Sequence, residues 1–362
     1  MTDPAEGHVT GITMAELAMA TRNHGMPLEA LRYDVTPVGL HYLLIHFDIP
    51  EADERTWALE LGGAVARPLT LTMDELRRRP QVTAPVTLEC AGNGRARLDP
   101  RPISQPWLDE AVGTAEWTGT PLAPLLSEAG VGPDAVEVVF AGADRGVQGG
   151  LEHDYERSLT IEEALRPEVL LAWGVNGQPL PPQHGFPLRL VVPGWYGMTS
   201  VKWLRRITVV SEPFDGYQQT GTYLLHTSED DPGTPVTRIQ PRSLLVPPGI
   251  PEFESRVRIC PPGRQLLTGR AWSGLAPVAA VEVSTDGGGS WAPARLGEQP
   301  SPWAWAGWTF EWEATPGGHE LCSRATDAAG NTQPLETPWN TGGYANNAVQ
   351  RVPVQVHDAP GA

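Results

Sequence analysis

Proline and glycine constrain this chain most: 37 prolines and 39 glycines stand among its 362 residues. Proline fixes φ and lacks an amide hydrogen, while glycine supplies positive φ, so neither sits well inside a long helix. A chain so punctuated forms short strands and short helices joined by many turns. Residues 57–61 and 86–90 read as strands with a helix over 72–79 between them, where Thr72 followed by Glu75 is a capping-box pattern. Residues 122–129 and 161–165 read as short helices, and 135–141, 187–193 and 201–211 as strands. That alternation predicts a mixed α+β domain, rich in loops and large enough to enclose a ligand. After about Tyr223 the character changes, and residues 227–237 are polar with Pro and Gly, as linkers are. Strand signals then recur at 256–260, 265–272, 279–284, 308–313, 320–326 and 349–357, which predicts an immunoglobulin-like β-sandwich. The length exceeds one core, and the expected division is residues 1–230 and 231–362.

The chain carries 26 Lys and Arg against 43 Asp and Glu, a formal charge of −17. Such a surface repels nucleic acid and anionic lipid. Any anionic ligand must therefore be held where the few cations are gathered. No apolar run reaches the ~18 residues that span a bilayer. Residues 1–11 show neither an apolar signal core nor paired arginines, so the chain as written is expected in the cytoplasm, or in the periplasm if a leader has been removed. Of the three cysteines, Cys260 and Cys322 read as small buried hydrophobes, with a bridge between them left open.

Residues 86–95 read VTLECAGNGR. An apolar strand delivers Cys90 into a glycine-rich turn that ends on Arg95. Backbone amides and a nearby cation lower a thiol pKa and suit a thiolate, as nucleophile or as metal ligand. A core cysteine ahead of a glycine turn fits the spacing equally well.

CAGNGR resembles the CAGNRR signature of the sulfite oxidases and assimilatory nitrate reductases. The resemblance continues through Asp144 and Arg145, LLAWGVNGQPLPPQHGFPLRLVVPG (170–194), SVKWL (200–204), GRAWSG (269–274), VEVSTDGGGSW (281–291), WAWAGW (303–308) and WNTGGYANN (339–347). It covers residues 33–357 in order. It implies a pterin-bound molybdenum with Cys90 as the protein's metal ligand. It implies cofactor contacts from His46, Asp144, His184, Arg189, Ser200 and Lys202, the last group meeting the pterin phosphate; Arg and Lys are the donors a buried phosphate needs. It places Arg95, Trp107 and Tyr223 around the substrate. It also implies oxygen-atom transfer, with sulfite as the default substrate, an external electron acceptor such as a cytochrome, and a homodimer formed through the sandwich. No haem- or flavin-binding segment is visible.

The sequence departs from the family at three arginine positions, which hold Leu44, Gly342 and, beside the cofactor, Thr199. Each charge-assisted bond to a buried anion contributes about 1.5–3 kcal/mol, so two missing partners weaken sulfite binding by roughly two to four orders of magnitude. The expected substrate is accordingly a different or less charged one, such as a sulfoxide or another oxyanion, unless Arg97 or His24 substitutes. Two other classes stand beside this reading: a non-catalytic binding module working through the sandwich, and a cysteine hydrolase using Cys90 with a histidine. Trp303 and Trp305, two apart, are expected on one face of a core strand.

Overall fold

The computed structural model describes residues 11–228 and 230–357. The run through residue 10, which carries most of the expectation about targeting, lies outside them. Ten strands build the N-terminal part: β1 (Ala58–Gly63), β2 (Leu69–Thr72), β3 (Val82–Glu89), β4 (Val112–Pro121), β5 (Glu137–Gln148), β6 (Leu151–Thr160), β7 (Leu170–Val175), β8 (Gln178–Pro179), β9 (Arg189–Val191) and β10 (Leu204–Val210). One sheet runs β2-β1-β10-β5-β6 and is antiparallel except for β1 beside β10. The other runs β3-β4-β7-β8, with β9 also paired to β7. Short helices α1 (Met14–Ala20), α2 (Met73–Arg77), α3 (Ala123–Ala129) and α4 (Ile161–Ala164) fill the connections. Helix α2 starts where the capping box places it: the Thr72 hydroxyl accepts from the Glu75 amide, and the Glu75 carboxylate accepts from the Thr72 amide. Helix α3 stops at Gly130, whose φ of 70° ends the turn. Leu59, Leu126, Phe140, Leu190 and Ile207 share one core.

The C-terminal part is an immunoglobulin-like sandwich. Its first sheet pairs Arg242–Leu245, Gly263–Trp272, Ala306–Ala314 and Arg295–Leu296; its second contains Arg258–Cys260, Val352–Val356, Gly317–Asp327 and Val278–Ser284. Leu267, Val281, Trp308, Leu321 and Val354 pack between them. Among the described residues no helix is long and apolar enough to cross a membrane.

Cys260 and Cys322 are buried free thiols, in keeping with their reading as small buried hydrophobes, and no bridge joins them. Other expectations change. Trp303 and Trp305 precede the strand rather than occupying one of its faces. Trp303 packs on the β3–β4–β7 core and its carbonyl accepts from the Thr87 amide at 2.8 Å. Trp305 is buried and its indole donates to the Asp34 carbonyl at 2.7 Å. This aromatic pair joins the two halves, because a single core is not reachable from a turn that bridges them. Strand β5 runs on through Asp144 and Arg145 with a register shift between Ala141 and Arg145, and pairs with β6, which the sequence pattern hides behind its charged residues.

Candidate active site

Strand β3 is enclosed on both faces at its end, since Val86 through Glu89 are all buried. Cys90 follows immediately. Its amide donates to the Ala111 carbonyl at 2.9 Å, and its carbonyl accepts from Asn93 at 3.0 Å. The turn beyond is clasped by the far end of the chain: the Ala345 amide donates to Ala91 at 2.8 Å, and Asn346 Nδ2 to the Gly94 carbonyl at 2.8 Å. Gly94 has φ 88°, and a Cβ there would lie 2.8 Å from the Asn346 oxygen, so glycine is required at that point.

Cys90 stands where two arms of one cleft meet. The inner arm is lined by His41, Asp144, His184, Arg189, Ser200 and Lys202. The outer arm is lined by Arg22, Arg95, Gln105, Trp107, Gln148 and Tyr344. Leu44, His46, Cys90 and Tyr223 border both. The ten residues that the resemblance assigns to metal, cofactor and substrate all line this one cleft.

The inner arm is basic in an acidic protein. Buried Arg189 donates to the carbonyls of His184 and Ser200, each at 3.1 Å, and lies over the Trp117 ring at 4.7 Å. Lys202 Nζ donates to the carbonyls of Leu44 at 2.8 Å and Gln183 at 3.2 Å. Backbone dipoles, not carboxylates, are their hydrogen-bonding partners, so positive charge remains to be met. Burial pulls the Arg189 guanidinium down to about 10 and Lys202 to about 7, with Arg189 itself adding to the effect on Lys202. Burial likewise keeps His184 neutral, at about 2, and His41 at about 4. Asp144 is pushed up to about 7 by burial, against the pull of Lys202. One polar atom of this arm, Asp144 Oδ1, is buried without a partner, while the His41 ring is turned to the backbone of Tyr42 and Gly113. Unmet cations and an unmet acceptor are what a phosphate attached to a heterocycle would satisfy.

The charge on Lys202 has a measurable consequence. Its pKa is lower folded than unfolded, so the unfolded chain binds more protons above pH 7 and stability must rise with pH there. Asp144 has the opposite sign but acts below pH 7. In cofactor-free protein, thermal melts from pH 7 to 10 should show wild type gaining on Lys202→Met throughout; a flat difference would contradict the buried cation.

The outer arm is aromatic. Arg95, buried, donates through Nε to the Gly342 carbonyl at 2.8 Å and lies over the Tyr344 ring at 5.0 Å. Trp107 packs beside Cys90, and its buried indole is among the groups that lower the thiol pKa. The Tyr223 hydroxyl shares a 2.7 Å hydrogen bond with His46 Nε2, and Tyr223 has φ 58°, a left-handed conformation costly for a large side chain. A Cβ on Gly342 would come within 2.1 Å of the Tyr344 ring, so Tyr344 occupies the space that a side chain at 342 would need. Neither suggested substitute lines the cleft: Arg97 is paired with buried Asp109, and the His24 backbone is bridged to Leu43.

The thiol departs from expectation. Burial pushes the Cys90 pKa up, outweighing the Arg95 charge and the Gly92 amide that lower it. A cysteine nucleophile needs the reverse, whereas a metal's charge makes a buried thiolate favourable.

Sequence reasoning missed His41, Tyr344 and the support behind Cys90. His41 lies in the same segment as His46, so its proximity was readable. The support was not: Arg242 reaches back to Glu89 across 153 residues.

Residues 46–218 match the oxidoreductase molybdopterin binding domain, and residues 250–357 the Mo-co oxidoreductase dimerisation domain. The chain is 34% identical over 351 residues to NADH nitrate reductase 1 of Oryza sativa subsp. japonica, covering 89% of this chain and 38% of that protein. It is 35% identical over 350 residues to the NAD(P)H nitrate reductase of Hordeum vulgare, covering 89% and 39%. It thus spans about two-fifths of the length of these relatives. Its fold is similar to the crystal structure of the sulfane dehydrogenase SoxCD from Paracoccus pantotrophus, with a TM-score of 0.80, 26% identity, and coverage of 99% of this chain and 96% of that one.

Proposed function

Because the chain belongs to the sulfite oxidase family of molybdopterin-dependent oxidoreductases, we propose that it transfers an oxygen atom to or from a small oxyanion or sulfur compound and exchanges electrons with an external acceptor such as a cytochrome, working as a homodimer. The observation that carries this reading is the position of Cys90 between a basic inner arm and an aromatic outer arm. The molybdenum cofactor, when bound, supplies two-electron redox chemistry and an exchangeable oxygen. Cys90 would ligate the metal. Arg189, Lys202, His184 and Ser200 would hold the cofactor's phosphate, and His46 and Asp144 its pterin. Arg95 would orient the substrate with Trp107 and Tyr223, while Leu44 and the aromatic walls exclude water.

The relatives' names cover different substrates, nitrate for two and sulfane sulfur for the third. A substrate screen with a dye as electron partner should therefore include sulfite, nitrate, thiosulfate and dimethyl sulfoxide. Sulfite is expected to give a poor kcat/KM, since Leu44 and Gly342 offer it no charge. Elemental analysis should find about one molybdenum per chain, the count a single Cys90 ligand implies. No molybdenum after molybdate-replete expression would favour a binding module instead.

A further inference from the structure

One buried cation takes no part in the roles above. Arg157, on β6, is 2% exposed. Its Nη1 donates to the Gln218 carbonyl, its Nε has no partner, and it forms no ion pair among the described residues. Glu137, a carboxylate whose charge reaches it, is hydrogen-bonded instead to the Phe214 amide at 3.0 Å. An unpaired guanidinium in a protein interior is costly, and burial already pulls its pKa down. Arg157 lies against the ring of Tyr223, its guanidinium carbon 5.5 Å from the centroid. That ring borders the cleft, with Tyr344 at 5.1 Å and the His46 hydrogen bond at its hydroxyl. In the outer arm itself Arg95 is the one buried cation among the described residues; Arg22, at the rim, is exposed and donates to the Phe47 carbonyl at 2.7 Å.

We propose that Arg157 is a positioning and specificity-determining residue, which fixes Tyr223 from behind and adds a second positive charge to the substrate site, so that the cleft selects a small oxyanion over a neutral sulfoxide. This rests on the substrate site placed above in the outer arm. Tyr223 needs a firm backing because its backbone is strained, and cation–π contact holds the Arg157 guanidinium against a ring that itself borders the site. Charge in a water-poor cleft acts over several ångströms, so contact with the substrate is not required. The position differs from those of Leu44 and Gly342: Arg157 returns one charge where two are absent, and does so from behind Tyr223 without a direct bond to the anion, so sulfite still binds less well than two pocket arginines would hold it.

A simple pinning role for Arg157, holding the Gln218 carbonyl, would affect every ligand alike. Calorimetric titration of the molybdenum-loaded protein with sulfate and with dimethyl sulfoxide separates the two. Arg157→Met should weaken sulfate about tenfold and leave dimethyl sulfoxide within about twofold. Arg157→Lys should recover most of the sulfate affinity. Equal losses for both ligands, unchanged sulfate affinity, or no sulfate binding by wild type would each overturn the proposal. Should Arg157→Met not fold, Arg157→Gln against Arg157→Lys gives the same contrast of charge. Molybdenum content of the same samples tests the cofactor reading separately: metal-free protein that still shows Arg157-dependent sulfate selectivity would sink that reading and keep this one.

Discussion

Cys90→Ser should abolish turnover while the protein stays folded. The side chain sits at a point fixed by backbone bonds on both sides, from Asn93 and to Ala111, so a change of one atom leaves the turn in place. The stability loss should be small, because the new hydroxyl is no larger and enters a cleft, not a closed core. Activity should fall far more. Changing a residue that merely supports a metal ligand costs about 10–100-fold, and loss of the ligand itself should exceed that range. The comparison of interest is between assays: a melting temperature within a few degrees of wild type, with dye-linked turnover reduced by at least ~1000-fold. Retained turnover would remove Cys90 as the metal's protein ligand. The same variant judges the hydrolase reading. Because burial raises the thiol pKa, iodoacetamide should label Cys90 only slowly even in cofactor-free protein; rapid selective labelling would point to an activated nucleophile.

Much of this site is visible in the sequence because its parts are short and local. The strand–cysteine–turn of 86–95 and the QHGFPLR segment each carry their chemistry within a few residues, and the structure brings them together. The capping box at Thr72 is legible for the same reason: its reciprocal bonds span three residues. What fails is long-range or depends on burial. Strands β4 and β6 have no counterpart among the expected elements: the glycines of β4 suit close approach of neighbouring strands, and the charged residues of β6 mask its pattern, yet Arg157 on it is buried. Local features of the turn lower the Cys90 thiol pKa, and burial, which no short segment shows, outweighs them. The aromatic pair at 303 and 305 obeys a strand period without lying in a strand.

Arg242→Met should be the most damaging single change outside the cleft. Arg242 belongs to the first strand of the sandwich, yet its guanidinium lies behind the metal-site turn. Nη1 donates to Glu89 Oε1 at 3.0 Å and to the Asn346 carbonyl at 2.8 Å, and Nη2 to Asp109 Oδ1 at 2.9 Å. The three charged side chains are each about 2% exposed. Glu89 also accepts from Trp272 Nε1 at 2.8 Å and Asn93 Nδ2 at 3.0 Å. Burial raises the Glu89 pKa even with Arg242 beside it, so the carboxylate depends on that partner. Removing one member of a buried pair costs about 3–5 kcal/mol, because the other charge is left without water or counterion. Asp109 keeps Arg97, but Glu89 has no second cation among the described residues. The urea midpoint should therefore fall steeply in Arg242→Met. Glu89→Gln combined with Arg242→Met should recover part of the loss, since the orphaned charge is gone. Molybdenum content should fall in the single variant as well, because Glu89 adjoins Cys90 and any shift of that strand end moves the thiolate. An unchanged midpoint would mean that the network holds nothing. A fallen midpoint with full metal content and an unaltered molybdenum EPR spectrum would confine Arg242 to stability. A fallen midpoint with an altered spectrum would show that the sandwich also sets the geometry at Cys90.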